Sequence, residues 1–345
     1  MPSVAKPETK KYLIIPNIGM GDSLLSLGAL FKVKTLFPAS QTSVLCWGER
    51  WQDVYRELNY ISRVITADPL FEAGSNPPVL VKESRKILAD LINQHDVIIS
   101  LCAIENIENI IKENKKPEEY YIWSSKDEPA PTYFESLSQG LNRYLGTSLN
   151  WHPLMSPAVS AVMAEQMRTW LVLNVKGRKL AVIAVAAGSP IRKIPIAIFL
   201  KVYIYLLNAG YMPVVIIPND ASKDYYVKFF EKYRIKSLEF AYLSDIFEFI
   251  SVAGLYVGPD TGLSHFAALK NIPSVIIMGP SLQYFRPYGP KASAINFGEE
   301  CEFQKKPCDA AGKCEYQENG AKCFKQFDTG DFESALAKIK IIEAF

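Results

Sequence analysis

The feature that most constrains this chain is a repeated change of period. Short apolar runs without internal charge break at Gly, Pro or Asp, and a helical apolar pattern follows. Tyr12–Pro16 (YLIIP) is the first such run. It leads through Asn17–Asp22 into a helix over Ser23–Phe37, with apolar residues at Leu24, Leu27, Ala29, Leu30, Val33 and Leu36 and Pro38 as its stop. Strand patterns follow at Thr42–Trp47, Arg63–Thr66 and Asp96–Cys102, with helices at Trp51–Leu58 and Glu83–Asn93. Residues 104–131 are polar and poorly patterned, and Thr132–Leu145 is helical again. Uncharged strands are buried on both faces, and their alternation with helices builds a parallel sheet with crossover helices.

Two prolines within His152–Pro157 interrupt the pattern, which then restarts. Strands are expected at Lys179–Val185, Met212–Ile217, Gly254–Val257 and Ser274–Met278. Helices are expected at Ile196–Asn208, Asp220–Tyr233, Ser244–Ala253 and from Ser264, with a Gly/Pro loop over Gly279–Pro290 and a last helix over Asp331–Phe345. Two successive βα arrays predict an α/β protein of two Rossmann-like domains facing across a cleft, residues 1–157 and 158–327. With 345 residues, 49% hydrophobic, each half is long enough to bury its own core.

Charge narrows the partners. A net charge of +2 is too small for a broad nucleic-acid surface, so no nucleic-acid partner is expected. The first residues contain no apolar signal-peptide core, and no run approaches the length of a membrane span. A cytoplasmic protein is expected, at most resting on a membrane surface, with its six cysteines mostly reduced.

Chemistry concentrates where strands end. Val257–Leu269 reads strand, tight turn, helix, a geometry that aims backbone N–H groups and a positive dipole end at an anion. Asp260 or Thr261 can cap that helix, Gly262 allows close approach to the backbone, and His265 sits on the first turn. Asn17–Asp22 leaves the end of the first strand, where ligands of open α/β sheets bind. Asp22 is either a helix cap or a general base. Gly19-Met20-Gly21 hints at a dinucleotide loop, but Leu24 stands where GxGxxG needs its third glycine. The Arg192-Lys193 pair, before a helix start, is either a solvated pair or an anion site, since positive charge there is otherwise unfavourable.

The phrase DTGLSHFAALKNIPSVIIMGPS, with Gly21-Asp22-Ser-Leu-Leu and Ala187–Pro195, closely resembles the signature of glycosyltransferase family 9. These are bacterial ADP-heptose:lipopolysaccharide heptosyltransferases. The resemblance is strongest over residues 11–38 and 180–281 and faint over 69–153, where acceptor contacts should lie. It implies a GT-B architecture: residues 1–157 on the acceptor side, 158–327 binding the nucleotide-sugar donor, and a terminal helix over 328–345 crossing back toward the first domain.

The resemblance also implies roles. Asp22 would be the base of an inverting transfer. Gly188 and Ser189 would hold a phosphate, and Lys193 would neutralise the diphosphate; Ile194 replaces the family's usual tryptophan. The amides of Thr261, Gly262 and Leu263 and the imidazole of His265 would hold the same group. Asp224 would meet the donor ribose, and Asp260 would act as a cap or contact a sugar hydroxyl. No Asp-x-Asp stands on a loop after a strand, so neither a catalytic metal nor a cofactor is expected. Cys301, Cys308, Cys314 and Cys323 lack a CxxC knuckle, so packed thiols are expected rather than a structural metal site, although one family subgroup resembles a metal-binding finger here. The implied partners are an ADP-sugar and the lipopolysaccharide inner core, with peripheral contact at the inner membrane. Rival readings are another nucleotide sugar, a protein acceptor, a dinucleotide-dependent oxidoreductase, or a non-catalytic nucleotide-binding protein.

Overall fold

The computed structural model describes residues 9–17, 19–47, 52, 55, 58, 61–67, 70, 80–102, 104–124, 130–148, 161–188, 192–218, 222–279, 286–297, 323–324 and 327–343. The side chains of residues 22, 161–164, 166 and 340–343 are excepted. The chain forms two compact units, Met1–Ala158 and Val159–Phe345.

Among the described residues the first unit holds five strands: β1 (Lys11–Ile15), β2 (Gln41–Cys46), β3 (Arg63–Thr66), β4 (Val97–Ser100) and β5 (Tyr120–Ile122). They pair in the order β3-β2-β1-β4-β5, every pair parallel. Its helices are α1 (Met20–Leu36), α2 (Ser84–Asn93), α3 (Glu105–Asn114) and α4 (Tyr133–Leu145). Strand side chains alternate between faces, so Leu13, Ile15, Leu45 and Ile98 pack with Leu88, Ile92, Ile107 and Ile111 of α2 and α3. Burying each such side chain contributes about 1.5–3 kcal/mol.

Helix α4 shows local sequence control at both ends. Thr132 is its N-cap, its hydroxyl accepting from the Glu135 N–H at 3.2 Å and donating to the Glu135 carboxylate at 2.8 Å. Gly146 closes it at φ +62, a left-handed conformation that a side chain would strain.

The second unit is a six-stranded sheet of β6 (Lys179–Ala184), β7 (Tyr211–Ile216), β8 (Ser237–Leu238), β9 (Leu255–Pro259), β10 (Ser274–Met278) and β11 (Ala292–Asn296). It is also wholly parallel, in the order β11-β10-β9-β6-β7-β8. Both units thus start at an inner strand, step outward twice, and return to the other side of that strand. This is the doubly wound order of Rossmann sheets. Helices α5 (Ala161–Val175), α6 (Ile196–Asn208), α7 (Lys223–Lys232), α8 (Leu243–Ser251), α9 (Gly262–Leu269) and α10 (Thr329–Glu343) complete it. One face carries α6, α7 and α10, whose Phe199, Phe230 and Phe332 close over Ile183, Val215 and Ile277. On the other, Phe247 of α8 stacks on Phe266 of α9 at 4.1 Å and Trp170 of α5 meets Phe249 edge-on at 5.5 Å.

Several expectations change. Residues 104–131, read as unpatterned, contain α3 and the edge strand β5. The Ile107, Ile110, Ile111 stripe of α3 was hidden among polar neighbours, and β5 is only three residues long. Helix α1 begins at Met20 and not Ser23, and α9 at Gly262 and not Ser264. The terminal helix runs over Thr329–Glu343 and not Asp331–Phe345, and it buries Phe332, Ala335, Leu336 and Ile339 in the second unit's core. The expected interdomain breaks at 152–157 and most of the helix at 51–58 lie outside the described residues.

Gly258 in β9 has no room for a side chain: a Cβ there would sit 2.4 Å from the Tyr256 phenol oxygen, and Tyr256 is fully buried. Gly258→Ala should destabilise the second unit by about 1–3 kcal/mol, as overpacking typically does. Chemical denaturation followed by tryptophan fluorescence reads the shift, and an unchanged midpoint would contradict this packing.

Candidate active site

In a sheet of this order the connections leave in opposite directions from two neighbouring strands, and a crevice opens at their carboxyl ends. In the second unit those strands are β6 and β9. The loop after β6 carries Gly188, Arg192 and Lys193, and the turn after β9 carries Asp260 and Thr261 before α9 begins.

The turn after β9 is rigid for local reasons. Thr261 is the N-cap of α9, but its side chain makes no cap bond; its carbonyl accepts from Ser264 and His265 N–H groups at 3.0 and 3.1 Å. The expectation of a side-chain cap is therefore corrected. Ser264 turns inward, donating to the Pro259 carbonyl at 2.5 Å and approaching the Tyr256 hydroxyl at 3.2 Å. These bonds anchor the first turn of α9 to its own strand. The first amides of a helix lack intrahelical acceptors, so this turn offers donors to an anion.

Three charged or polar side chains converge on it. Asp260 is buried, with 4% exposure. The Arg192 Nη1 stands 3.5 Å from its carboxylate and 3.3 Å from its backbone carbonyl. His265 Nε2 lies 3.8 Å from the other carboxylate oxygen. Arg192 thus offsets the carboxylate whose repulsion would otherwise oppose a diphosphate, and a guanidinium has five donors with which to serve both.

Burial pushes the His265 imidazole below its ordinary value; Asp260 pulls it up and Arg192 adds to the lowering. The ring is neutral at pH 7. Its Nδ1 is buried with no hydrogen-bond partner among the described residues, an unmet polar group at the mouth of the helix.

Lys193 goes elsewhere: its Nζ donates to Ser222 Oγ at 3.3 Å, and Ser222 is the N-cap of α7. Asp224, exposed, lies in the first turn of the same helix. The loops after β6, β7 and β9 are therefore all present at one edge of the sheet, with Arg192 tied to the third and Lys193 to the second. Reading the sequence had singled out Lys193 alone of this pair. Nothing in the spacing distinguishes the two, because only the fold decides which neighbour faces Asp260. Gly188 is exposed after β6; Ser189 lies outside the described residues, as do Cys301, Cys308 and Cys314. Cys323 is buried in the second unit's core.

In the first unit the corresponding strands are β1 and β4, and the loop after β1 is clamped from several sides. The Trp47 indole N–H donates to the Pro16 carbonyl at 2.6 Å. The Asn17 amide donates to the Tyr133 hydroxyl at 3.2 Å, and that hydroxyl donates to the Leu101 carbonyl, beyond β4, at 3.4 Å. Tyr55 donates to the Ser23 carbonyl at 3.1 Å. Tyr133 therefore ties together the two loops that border the crevice, and its ring is held by Trp123 edge-on at 4.9 Å. Asp22 occupies the third position of α1, whose N-cap is Gly19, so Asp22 is not the helix cap. None of these clamping residues carries a sequence motif; only Thr132, which starts α4 just ahead of Tyr133, was legible.

The second unit therefore carries a helix N-terminus at the switch point of a doubly wound sheet, and the first unit is a doubly wound domain in its own right. Residues 151–314 match the model of glycosyltransferase family 9 (heptosyltransferase). Among solved structures, the family 9 glycosyl transferase of Veillonella parvula is 15% identical with a TM-score of 0.71, covering 98% of this chain and 99% of that one. ADP-heptose lps heptosyltransferase II of E. coli is 14% identical with a TM-score of 0.66, covering 97% and 100%. E. coli heptosyltransferase WaaC, solved with ADP-2-deoxy-2-fluoro heptose, is 17% identical with a TM-score of 0.59, covering 83% and 92%. No curated protein matches in sequence.

Two outcomes follow from the geometry. His265 and His95 are both held below their ordinary value, chiefly by burial. The unfolded chain then takes up protons that the native state refuses, so stability is full above pH 6.5 and falls as pH drops below it. Urea midpoints measured from pH 8 to pH 5 should decline with a slope reduced in His265→Gln; a flat profile would contradict neutral native histidines. Tyr133→Phe should cost about 1 kcal/mol of stability yet lower kcat at nearly constant donor KM, because the loop after β1 loses its link to Leu101.

Proposed function

We propose that this chain transfers a heptose from ADP-heptose to a sugar of the lipopolysaccharide inner core, with inversion and without a metal ion. What supports the reading most is the union, in a family 9 domain, of the α9 amides with His265, Asp260 and Arg192 at the switch point of the second sheet.

The donor diphosphate rests on the amides of Thr261, Gly262 and Leu263, with His265 donating to it. Gly188 lets a phosphate approach the backbone, Ser189 binds it, and Asp224 accepts from the ribose. The acceptor oxygen forms its bond to the anomeric carbon on the face opposite the diphosphate, as the bond from that carbon to the diphosphate oxygen breaks. The acceptor proton passes to the Asp22 carboxylate. ADP departs with both electrons of the broken bond, and its added charge is met by Arg192, Lys193 and the helix N-terminus. Asp260 keeps Arg192 oriented and presents its carboxylate to a sugar hydroxyl. With a lipid-borne acceptor, the enzyme works against the cytoplasmic face of the inner membrane.

ADP-heptose and ADP should raise the melting temperature, UDP and NAD less so; stabilisation by NAD alone would assign the protein to the oxidoreductases. Asp22→Asn should lower kcat by about 10²–10⁴ with donor affinity retained. Lys193→Ala should lower turnover far more than stability. Arg192→Ala should lower both, because it leaves Asp260 buried beside no cation. Product release followed by mass spectrometry with an inner-core acceptor checks all three, and full turnover in Asp22→Asn would remove it from the mechanism.

A further inference from the structure

The outer surface of the second unit's α6–α7 face has a composition unlike that of an ordinary solvated layer. Right-handed crossovers from β6 to β7 and from β7 to β8 put both helices on the same side of the sheet. On α7 an aromatic ladder runs along the outside. Tyr225 stacks on Phe229 with centroids 6.3 Å apart, and Phe229 leans on Tyr233 at 4.6 Å. Tyr225 and Tyr233 are 58% and 51% exposed. Neighbouring α6 presents Ile204 and Leu207, 55% and 42% exposed, on a helix that contains no carboxylate.

Basic side chains are interleaved with these rings. Lys228, Lys232 and Arg234 are all exposed, and the Lys232 ammonium lies 5.3 Å from the Tyr233 ring centroid. At helical spacing Tyr225, Lys228, Phe229 and Lys232 share one side of α7, while Asp224 and Glu231 lie off toward the flank. Aromatic rings with a polar tip, long basic side chains whose stems lie along apolar surface, and flanking aliphatic residues are the combination that settles at a lipid–water boundary. A second protein would meet the same apolar groups differently, since interface cores are depleted in lysine. The charge favours a surface that is itself negative.

We infer that the α6–α7 face, through Tyr225, Lys228, Phe229, Lys232 and Tyr233, docks the enzyme on an anionic lipid surface. This rests on the reading that the acceptor is membrane-borne, and it gives the donor-binding unit its own membrane contact.

The test uses the full chain and vesicles of phosphatidylethanolamine with phosphatidylglycerol, against vesicles of phosphatidylcholine alone, read by co-sedimentation. The wild type should partition onto the anionic vesicles and be released by salt. Lys228→Gln with Lys232→Gln should weaken partitioning by about 30-fold, from roughly fivefold per charge. Tyr225→Ser with Tyr233→Ser should weaken it at all salt concentrations. Both pairs should leave melting temperature and donor hydrolysis in free solution unchanged. That separates this inference from the catalytic one: loss of donor hydrolysis in the wild type would sink the transferase reading while leaving vesicle binding as measured. Equal binding to both vesicle types, wild-type binding by both double variants, or a concentration-dependent dimer abolished by the tyrosine changes would overturn the lipid assignment.

Discussion

A wholly parallel sheet cannot be built from hairpins. Each strand must be followed by a crossover that returns the chain to the sheet's starting edge, so all loops leaving the carboxyl ends collect on the opposite edge. The strand orders of both units add a reversal at an inner strand, and the two loops beside the reversal diverge and leave a crevice. Every candidate residue described here stands on such a loop or on the first turn after it. Asn17 and Asp22 follow β1, Leu101 follows β4, Arg192 and Lys193 follow β6, Asp224 follows β7, and Asp260 to His265 follow β9.

That placement explains why the two halves invest in different kinds of interaction. The loop after β1 and the first turn of α1 are held by neutral groups: Trp47 and Tyr55 donate to backbone carbonyls, and the Tyr133 hydroxyl accepts from the Asn17 carboxamide. Such bonds fix a backbone without altering the charge around Asp22. The turn after β9 instead buries a carboxylate between an arginine and an imidazole. A buried pair of this kind adds little to stability, because desolvation offsets most of the attraction, but removal of one partner is costly. Its value lies in orientation: Arg192 is held at the edge of the helix N-terminus, where a negative ligand gathers the dipole, the amides and the guanidinium together.

Much of this was legible from residues alone, for identifiable reasons. Uncharged strands such as Ser274–Met278 and long periodic helices such as Ile196–Asn208 carry their identity locally, and they fall where the pattern placed them. The strand–turn–helix over 255–269 was readable because Gly-Pro-Asp breaks the run abruptly. Edge elements were not: Tyr120–Ile122 and Ser237–Leu238 are too short for a period and are defined by their neighbours. The same limit separates Asp260 from Arg192. The turn announces Asp260, whereas its partner Arg192 stands 68 positions earlier, and only the reversal at β6 and β9 brings them together. Lys193, one residue further, points to Ser222 for the same reason.

The neutral state of His265 follows from this arrangement and bears on how the site can exchange ligands. Without an anion, burial and Arg192 outweigh Asp260, and the ring stays uncharged. Its orphaned Nδ1 then lacks a partner that a phosphate oxygen would supply. An anion bound there would bring negative charge to the ring, opposing the effect of burial and raising the affinity of the imidazole for a proton. Binding and protonation thus favour each other, so a site that is only weakly cationic when empty becomes more so when filled.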